Sequence, residues 1–264
     1  MRYFGNTKGF TLVETMAALG VFTIIAVIAL SAISNTTQDK LLNDLRMRAN
    51  ETARDAMNLI YGDIQKAGYQ IDAPVASLPQ IIQVTSNPLA PYRLKIQRAV
   101  RTGWTSEASA KGDKDIRVDD ISRYQGLVNS YIIYVFEGEI QVLRITAIDT
   151  RIRFNNDPLK IDLPAGALFV VVDTVELVYD QPSGVLTRSV NGSTTHSISG
   201  VENLGFVFVL QDGSTVSTPS AAQSVLIRYV DCNLRIRLER RVPHGRTYNA
   251  VAPLAQRVAL ENLI

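Results

Sequence analysis

The most informative reactive side chain in this sequence is a carboxylate in an apolar setting. Glu14 lies inside the hydrophobic stretch that opens at Phe10, and from Thr15 to Gln38 no charged residue follows it. A carboxylate beside hydrocarbon is costly, so its presence needs a reason. Lys8, Gly9 and Phe10 precede it in the order basic, small, bulky apolar. The remaining candidates are weaker. Asp113, Asp115, Asp119 and Asp120 could offer oxygens to calcium, but that ion takes about six to eight converging oxygens. This stretch lacks the glycine and distal glutamate of an EF-hand loop and interleaves Lys111, Lys114 and Arg117, so a solvated loop is expected. Arg228, Arg235, Arg237, Arg240, Arg241, Arg246 and Arg257 outnumber Asp231 and Glu239 near the end of the chain. Arg235 and Arg237 alternate with apolar residues, which reads as the solvent-facing side of a strand or a subunit contact, with polyanion binding as the weaker alternative.

Other chemistry has little to build on. His196 and His244, the two histidines, have no partner at metal-ligand spacing, which argues against a zinc enzyme. Cys232 is the single cysteine, so no intramolecular disulfide forms, and its place after the strand-like run Val225 to Asp231 suggests an inert, packed thiol. No GxSxG, phosphate-binding glycine loop or HExxH pattern occurs. An enzyme, a cofactor and a small-molecule substrate are therefore not expected. A net charge of +2 argues against a chain built around polyanions, and 46% hydrophobic residues in 264 allow a real core.

The element that must position Glu14 is a long helix. Ala17 to Ile33 is almost wholly apolar, and about 20 such residues at ~1.5 Å rise cross the ~30 Å hydrocarbon layer. Arg2 and Lys8 before the span, with mixed charge after it, place the N-terminus in the cytoplasm by the positive-inside rule. Conventional signal cleavage before Ala32 is the alternative, since Ala29, Leu30 and Ser31 satisfy the small-residue rule. Beyond the span, Leu42, Leu45, Ala49, Ala53, Ala56, Ile60, Ile64 and Ala67 recur every three or four residues, with Asn43, Arg46, Asn50, Arg54 and Asp63 between them. That amphipathic stripe should hold a globular domain, and Gly68 should stop the helix. From Thr11 to Ala67 it would reach about 85 Å.

Lys8-Gly9-Phe10-Thr11-Leu12-Val13-Glu14 resembles the processing motif of type IV prepilins. The resemblance implies cleavage between Gly9 and Phe10 by prepilin peptidase, N-methylation of Phe10, and pairing of Glu14 with the Phe10 amino group of a neighbouring subunit. Asp63 to Tyr69 and Val201 to Phe206 resemble the PilW-type minor pilins and the related J-type pseudopilins of type II secretion. This implies a minor pilin that helps to initiate or cap a type IV pilus, inserted in the bacterial inner membrane before assembly. Its partners would be prepilin peptidase, other major and minor pilins, membrane lipid and an inner-membrane assembly platform. A J-type pseudopilin, or a pilus-associated adhesin or DNA-binding subunit, is the alternative. The expected organisation is a leader over 1–9, a membrane and assembly half-helix over 10–38, an amphipathic half over 39–68 and a β-rich extracytoplasmic domain over 69–264.

After prolines 74, 79, 88 and 91, the pattern is that of strands. Alternation predicts strands at Ile81 to Thr85, Tyr92 to Gln97, Tyr131 to Phe136, Ile140 to Ile145, Leu168 to Tyr179, Val185 to Val190, Leu204 to Leu210 and Val225 to Val230, the last followed by Leu234, Ile236 and Leu238 with arginines between. Glu137-Gly138 and Gln181 to Gly184 read as turns, and Thr102 to Asp120 as a polar surface excursion. The expected fold is α+β: a long N-terminal helix packed on mostly antiparallel sheet.

Overall fold

The structure, a computed structural model, describes residues 11–68, 80–87, 90–154, 157–242 and 247–261. The chain divides into two units, one of residues 1–48 with 239–250 and one of residues 49–238 with 251–264. A single helix, α1 (Leu12–Gln65), runs through the sequence expected to be helical.

In the first unit, α1 carries no charge between Glu14 and Asp39 and has no polar face there. Leu19, Phe22, Ile25, Ile28 and Leu30 point in different directions around it, yet all are 58 to 69% exposed. An 18-residue window has mean hydropathy 2.5 and none of it is buried. Apolar surface exposed on every side lacks the core that water would demand of it; hydrocarbon supplies the missing solvent. Its hydroxyls are satisfied within the helix, as hydrocarbon requires: Thr23 Oγ1 donates to Leu19 O at 2.7 Å, Ser31 Oγ to Ile28 O at 2.8 Å and Thr36 Oγ1 to Ala32 O at 2.8 Å.

In the second unit the helix is amphipathic and its stripe is buried. Ala49, Ala53, Ala56, Met57, Ile60, Ile64 and Ala67 are at most 2% exposed, the three-and-four spacing read from the sequence. Gly68, at φ 119°, turns the chain out of the helix in a conformation that other residues rarely adopt, and its N–H donates to Gln97 O at 2.9 Å.

The end of α1 is tied, through Asp63 and Gly68, to a seven-stranded sheet built from β1 (Ile82–Asn87), β2 (Ala90–Trp104), β4 (Tyr131–Phe136), β5 (Glu139–Arg144), β8 (Leu168–Asp180), β9 (Val185–Val190) and β10 (Ser193–Ser199). All its pairings are antiparallel. β8 is its spine. One edge pairs along its whole length with β2, while the other is shared, residues 169–172 with β4 and 175–180 with β9. A four-stranded sheet follows in the order β12 (Thr215–Val216), β11 (Val201–Leu210), β13 (Ile227–Arg241), β14 (Thr247–Ala259). The short helix α2 (Ala221–Ser224) precedes β13, opened by a Ser220–Gln223 capping box.

Three expectations need correction. The Thr102 to Asp120 segment is a surface excursion only in its middle, residues 106–114: β2 continues to Trp104, and Ile116 and Val118 are buried. They belong to a second core with Tyr124, Ile132, Tyr134, Leu143, Phe154, Leu163 and Phe169, capped by a small sheet of β3 (Asp115–Ile116), β7 (Ile152–Arg153) and β6 (Ala147–Ile148). Two apolar residues two apart suffice to dock a loop when their charged neighbours face out. Gly103 admits this packing, since a Cβ there would stand 2.0 Å from Tyr124 Oη and 2.6 Å from Phe169 Cζ. Second, β10 and β14 were not anticipated. β10 is almost entirely Ser, Thr and His, without apolar alternation, although Asn191 (φ 51°) and Gly192 (φ 85°) form the hairpin turn that Asn-Gly favours. β14 contains Pro253, which an edge strand tolerates. Third, Asp63 is not on the solvent face of α1 but 2% exposed.

Candidate functional site

Glu14 opens α1 as part of a reciprocal cap. Its Oε2 accepts from the Thr11 backbone N–H at 2.9 Å and from Thr11 Oγ1 at 3.0 Å, while its own N–H donates to Thr11 Oγ1 at 3.3 Å. Thr11-Leu12-Val13-Glu14 is thus a capping box: each residue satisfies a backbone donor that the first helical turn leaves unpaired. The sequence carried this signal, a threonine three residues before a glutamate at the head of an apolar run, and the search for chemistry passed over Thr11. A negative charge in the first turn also complements the positive end of the helix dipole. The cap answers the hydrogen-bonding needs of the carboxylate and leaves its charge without a cation among the described residues. Gly9 and Phe10, the expected cleavage pair, lie outside the described residues.

Residues 5–30 match the family model of the prokaryotic N-terminal methylation motif. That is the signal of type IV pilins and pseudopilins. It covers Gly9, Phe10, Thr11 and Glu14 together with most of the apolar half of α1. The methylation motif implies processing by prepilin peptidase and association with other pilins, and the apolar helix behind it suggests membrane anchoring. No curated protein matches the chain.

The other end of α1 holds a second polar site. Asp63 Oδ2 accepts from Arg188 Nε at 2.6 Å, and its Oδ1 accepts from Arg188 Nη2 at 2.8 Å and Arg98 Nη1 at 2.9 Å. Arg98 also reaches Asp173, with Nη2 3.6 Å from Oδ2. Asp173 Oδ1 accepts from Ser130 Oγ and Asn191 Nδ2, both at 2.7 Å. Two aspartates and two arginines make a neutral cluster that binds α1 to β2, β8 and β9. Arg188 is the better held cation: a two-pronged bond to Asp63, a further bond to Thr195 Oγ1 at 2.7 Å, and a pKa raised by the Asp63 hydrogen bond against the opposing effect of burial. Arg98 leaves its Nε unpartnered.

The remaining candidates are dispersed. Asp113 accepts from the Ala110 N–H, Asp115 pairs with Arg151 at 2.7 Å, and Asp120 caps the 3-10 turn Ile121–Tyr124 through the Ser122 N–H. Among the described residues, no three of the His, Cys, Asp and Glu side chains group as a metal-holding set. Of the arginines, Arg235 and Arg237 share Glu202 at 2.8 Å each, and Arg257 grips Asp231 with two hydrogen bonds of 2.6 and 2.7 Å while lying over Tyr229. Arg246 and His244 lie outside the described residues, and His196 is exposed on β10. Cys232 is wholly buried, and burial pushes its thiol up to about 12, so the reactive thiolate is scarce at neutral pH.

Proposed function

We propose that this chain is a minor pilin, a low-copy structural subunit that prepilin peptidase processes between Gly9 and Phe10 and that helps to initiate or cap a type IV pilus. The observation that carries this reading is the methylation motif at residues 5–30, set on a helix whose first half is apolar and exposed all round. The precursor stands in the inner membrane with its N-terminus cytoplasmic and its sheets outside. On assembly, α1 exchanges lipid for the helices of neighbouring subunits, and the Glu14 carboxylate, without a cation among the described residues, receives the methylated Phe10 amino group of a neighbour. Bulk supports the low copy number: the seven- and four-stranded sheets together ask more room of each neighbour than a compact subunit would. Asp63 and Val201 to Phe206, the residues that resemble the PilW and J-type group, contribute a buried clamp and a core strand. These fit a J-type pseudopilin equally, and the genes flanking this one would distinguish the two. With Arg257 paired to Asp231 and Arg235 and Arg237 sharing Glu202, one net positive charge is left among the three, too little for a polyanion track, so the arginine-rich strands favour a structural face over a DNA-binding one. Mass spectrometry of the N-terminus in the native host tests the proposal. A mature chain beginning at methylated Phe10 is expected, Gly9→Val should leave the leader attached, and a terminus at Ala32 would overturn the reading.

A further inference from the structure

The outward face of the four-stranded sheet holds a depression of about 310 Å³ that neither the helix cap nor the ion clamp uses. Asn203 of β11, Asn233 and Arg235 of β13, and Pro253, Leu254 and Ala255 of β14 line it. Directly across from Asn233, Gly205 leaves the face bare: a Cβ added there would meet nothing within 4 Å. Its surroundings are stiff. Asp231 and Arg257 lock together toward one end of β13, and Arg235 and Arg237 share Glu202 toward the other.

The chemistry of this lining is specific. Among the described residues, the Asn203 and Asn233 carboxamides have no hydrogen-bond partner within the chain. A carboxamide both donates and accepts, as does a hydroxyl, and the two stand on a diagonal of the β11–β13 pair, Asn203 opposite Arg235 and Asn233 opposite Gly205, which suits a ligand with several hydroxyls. Pro253, Leu254 and Ala255 supply apolar surface for the C–H face of a ring. Two arginines divide one glutamate, leaving one positive charge in excess beside the depression, and Arg235 is half exposed. The volume is at the lower limit of the ~300 to 1,000 Å³ typical of small-molecule sites, which fits one ring rather than a helix. We infer that the depression binds a single uronic acid unit, its hydroxyls on Asn203 and Asn233 and its carboxylate toward Arg235. This holds whether or not the chain is a filament subunit.

The test uses the full chain in detergent micelles, with the asparagine side-chain amides observed by NMR. D-glucuronate, D-glucose, a glucuronate-containing oligosaccharide and the peptide Gly-Glu-Gly are titrated in turn. Glucuronate should shift the Asn203 and Asn233 amides, and glucose should bind about tenfold or more weakly, having no charged group to meet Arg235. Tighter binding of the oligosaccharide than of free glucuronate would identify a polysaccharide as the source, and equal binding the free sugar acid; both support the site. Arg235→Gln should abolish the preference over glucose. Asn233→Ala, a mild change on an exposed strand position, should weaken glucuronate by about tenfold. No shift with glucuronate, equal affinity for glucose, unchanged binding by Asn233→Ala, or shifts with Gly-Glu-Gly but not glucuronate would each overturn the assignment.

Discussion

Glu14 and Asp63 are two carboxylates on one helix, and each is satisfied in a different way. Glu14 is served locally, by the threonine three residues before it, and stays exposed with its charge unmatched among the described residues. Asp63 is served by residues 35 and 125 positions away, and its charge is matched by Arg98 and Arg188 in a buried cluster. The first arrangement suits a group that acquires its counter-ion later, from another molecule. The second suits a group whose work is finished on folding. In low dielectric a charge is expensive until it is paired, and the two ends of α1 differ in when that pairing comes.

Removing Asp63 should have the largest effect on the fold. Asp63→Ala strands two arginines without their shared carboxylate, and breaking such a buried pair costs about 3 to 5 kcal/mol. Chemical denaturation of the full chain in micelles should show the sheet unit unfolding at a markedly lower midpoint; an unchanged midpoint would refute the clamp. Arg98→Ala should cost less than Arg188→Ala, because Arg98 is more exposed and leaves one nitrogen unpartnered, whereas Arg188 binds both Asp63 oxygens and Thr195. In a double-mutant cycle, Asp63 with Arg188 should therefore show the larger coupling.

The same contrast explains what the sequence made legible. The membrane half of α1, its amphipathic stripe and the longer alternating strands are local patterns, and the structure follows them residue by residue from Leu45 to Ala67. Glu14 was legible because an anomaly in composition is also local. Its partner Thr11 was equally local but has an unremarkable residue type, so only the capping-box spacing could have marked it. Asp63 was misplaced because nothing near it in sequence shows that Arg98 and Arg188 will converge on it; that depends on which strands β8 has as neighbours. The second core beneath Thr102 to Asp120 was missed for the same reason, its apolar members being scattered from Ile116 to Val171.

A third carboxylate sharpens the comparison with a smaller effect. Asp231 has a two-pronged arginine partner, as Asp63 does, yet the pair is on the surface, with the Arg257 side chain 59% exposed. Solvent screens such pairs, so Asp231→Asn should lower the unfolding midpoint far less than Asp63→Ala. The pH dependence has a definite sign. The hydrogen bond from Arg257 holds the Asp231 carboxyl below its ordinary value of 3.8, partly offset by burial. A carboxyl with a lowered folded pKa contributes its stability above the ordinary value and loses it as the pH falls through the folded one. The difference between wild type and Asp231→Asn should thus be constant near neutrality and shrink as the pH falls below the ordinary carboxyl value and through the lowered folded one. A difference that grew on acidification would contradict the pairing.

The smallest effect on folding should come from Glu14, and there the consequence is of another kind. Glu14→Gln keeps the shape of the side chain and an oxygen that can still accept from the Thr11 N–H, so the helix cap survives in weakened form. The sheet unit lies far along the chain from this residue, and its denaturation midpoint should not move. Cleavage should also proceed, since the variant leaves Gly9 and Phe10 untouched, and the protein should accumulate in the membrane fraction. What the amide cannot do is accept the charge of a neighbour's amino terminus. Recovery in sheared filaments, counted by quantitative peptide mass spectrometry against the main subunit, should therefore fall while the membrane pool is maintained. Equal incorporation of wild type and variant would remove Glu14 from assembly and leave it as a helix cap alone. A shifted midpoint would instead erase the distinction between a carboxylate that serves the fold and one held for a partner.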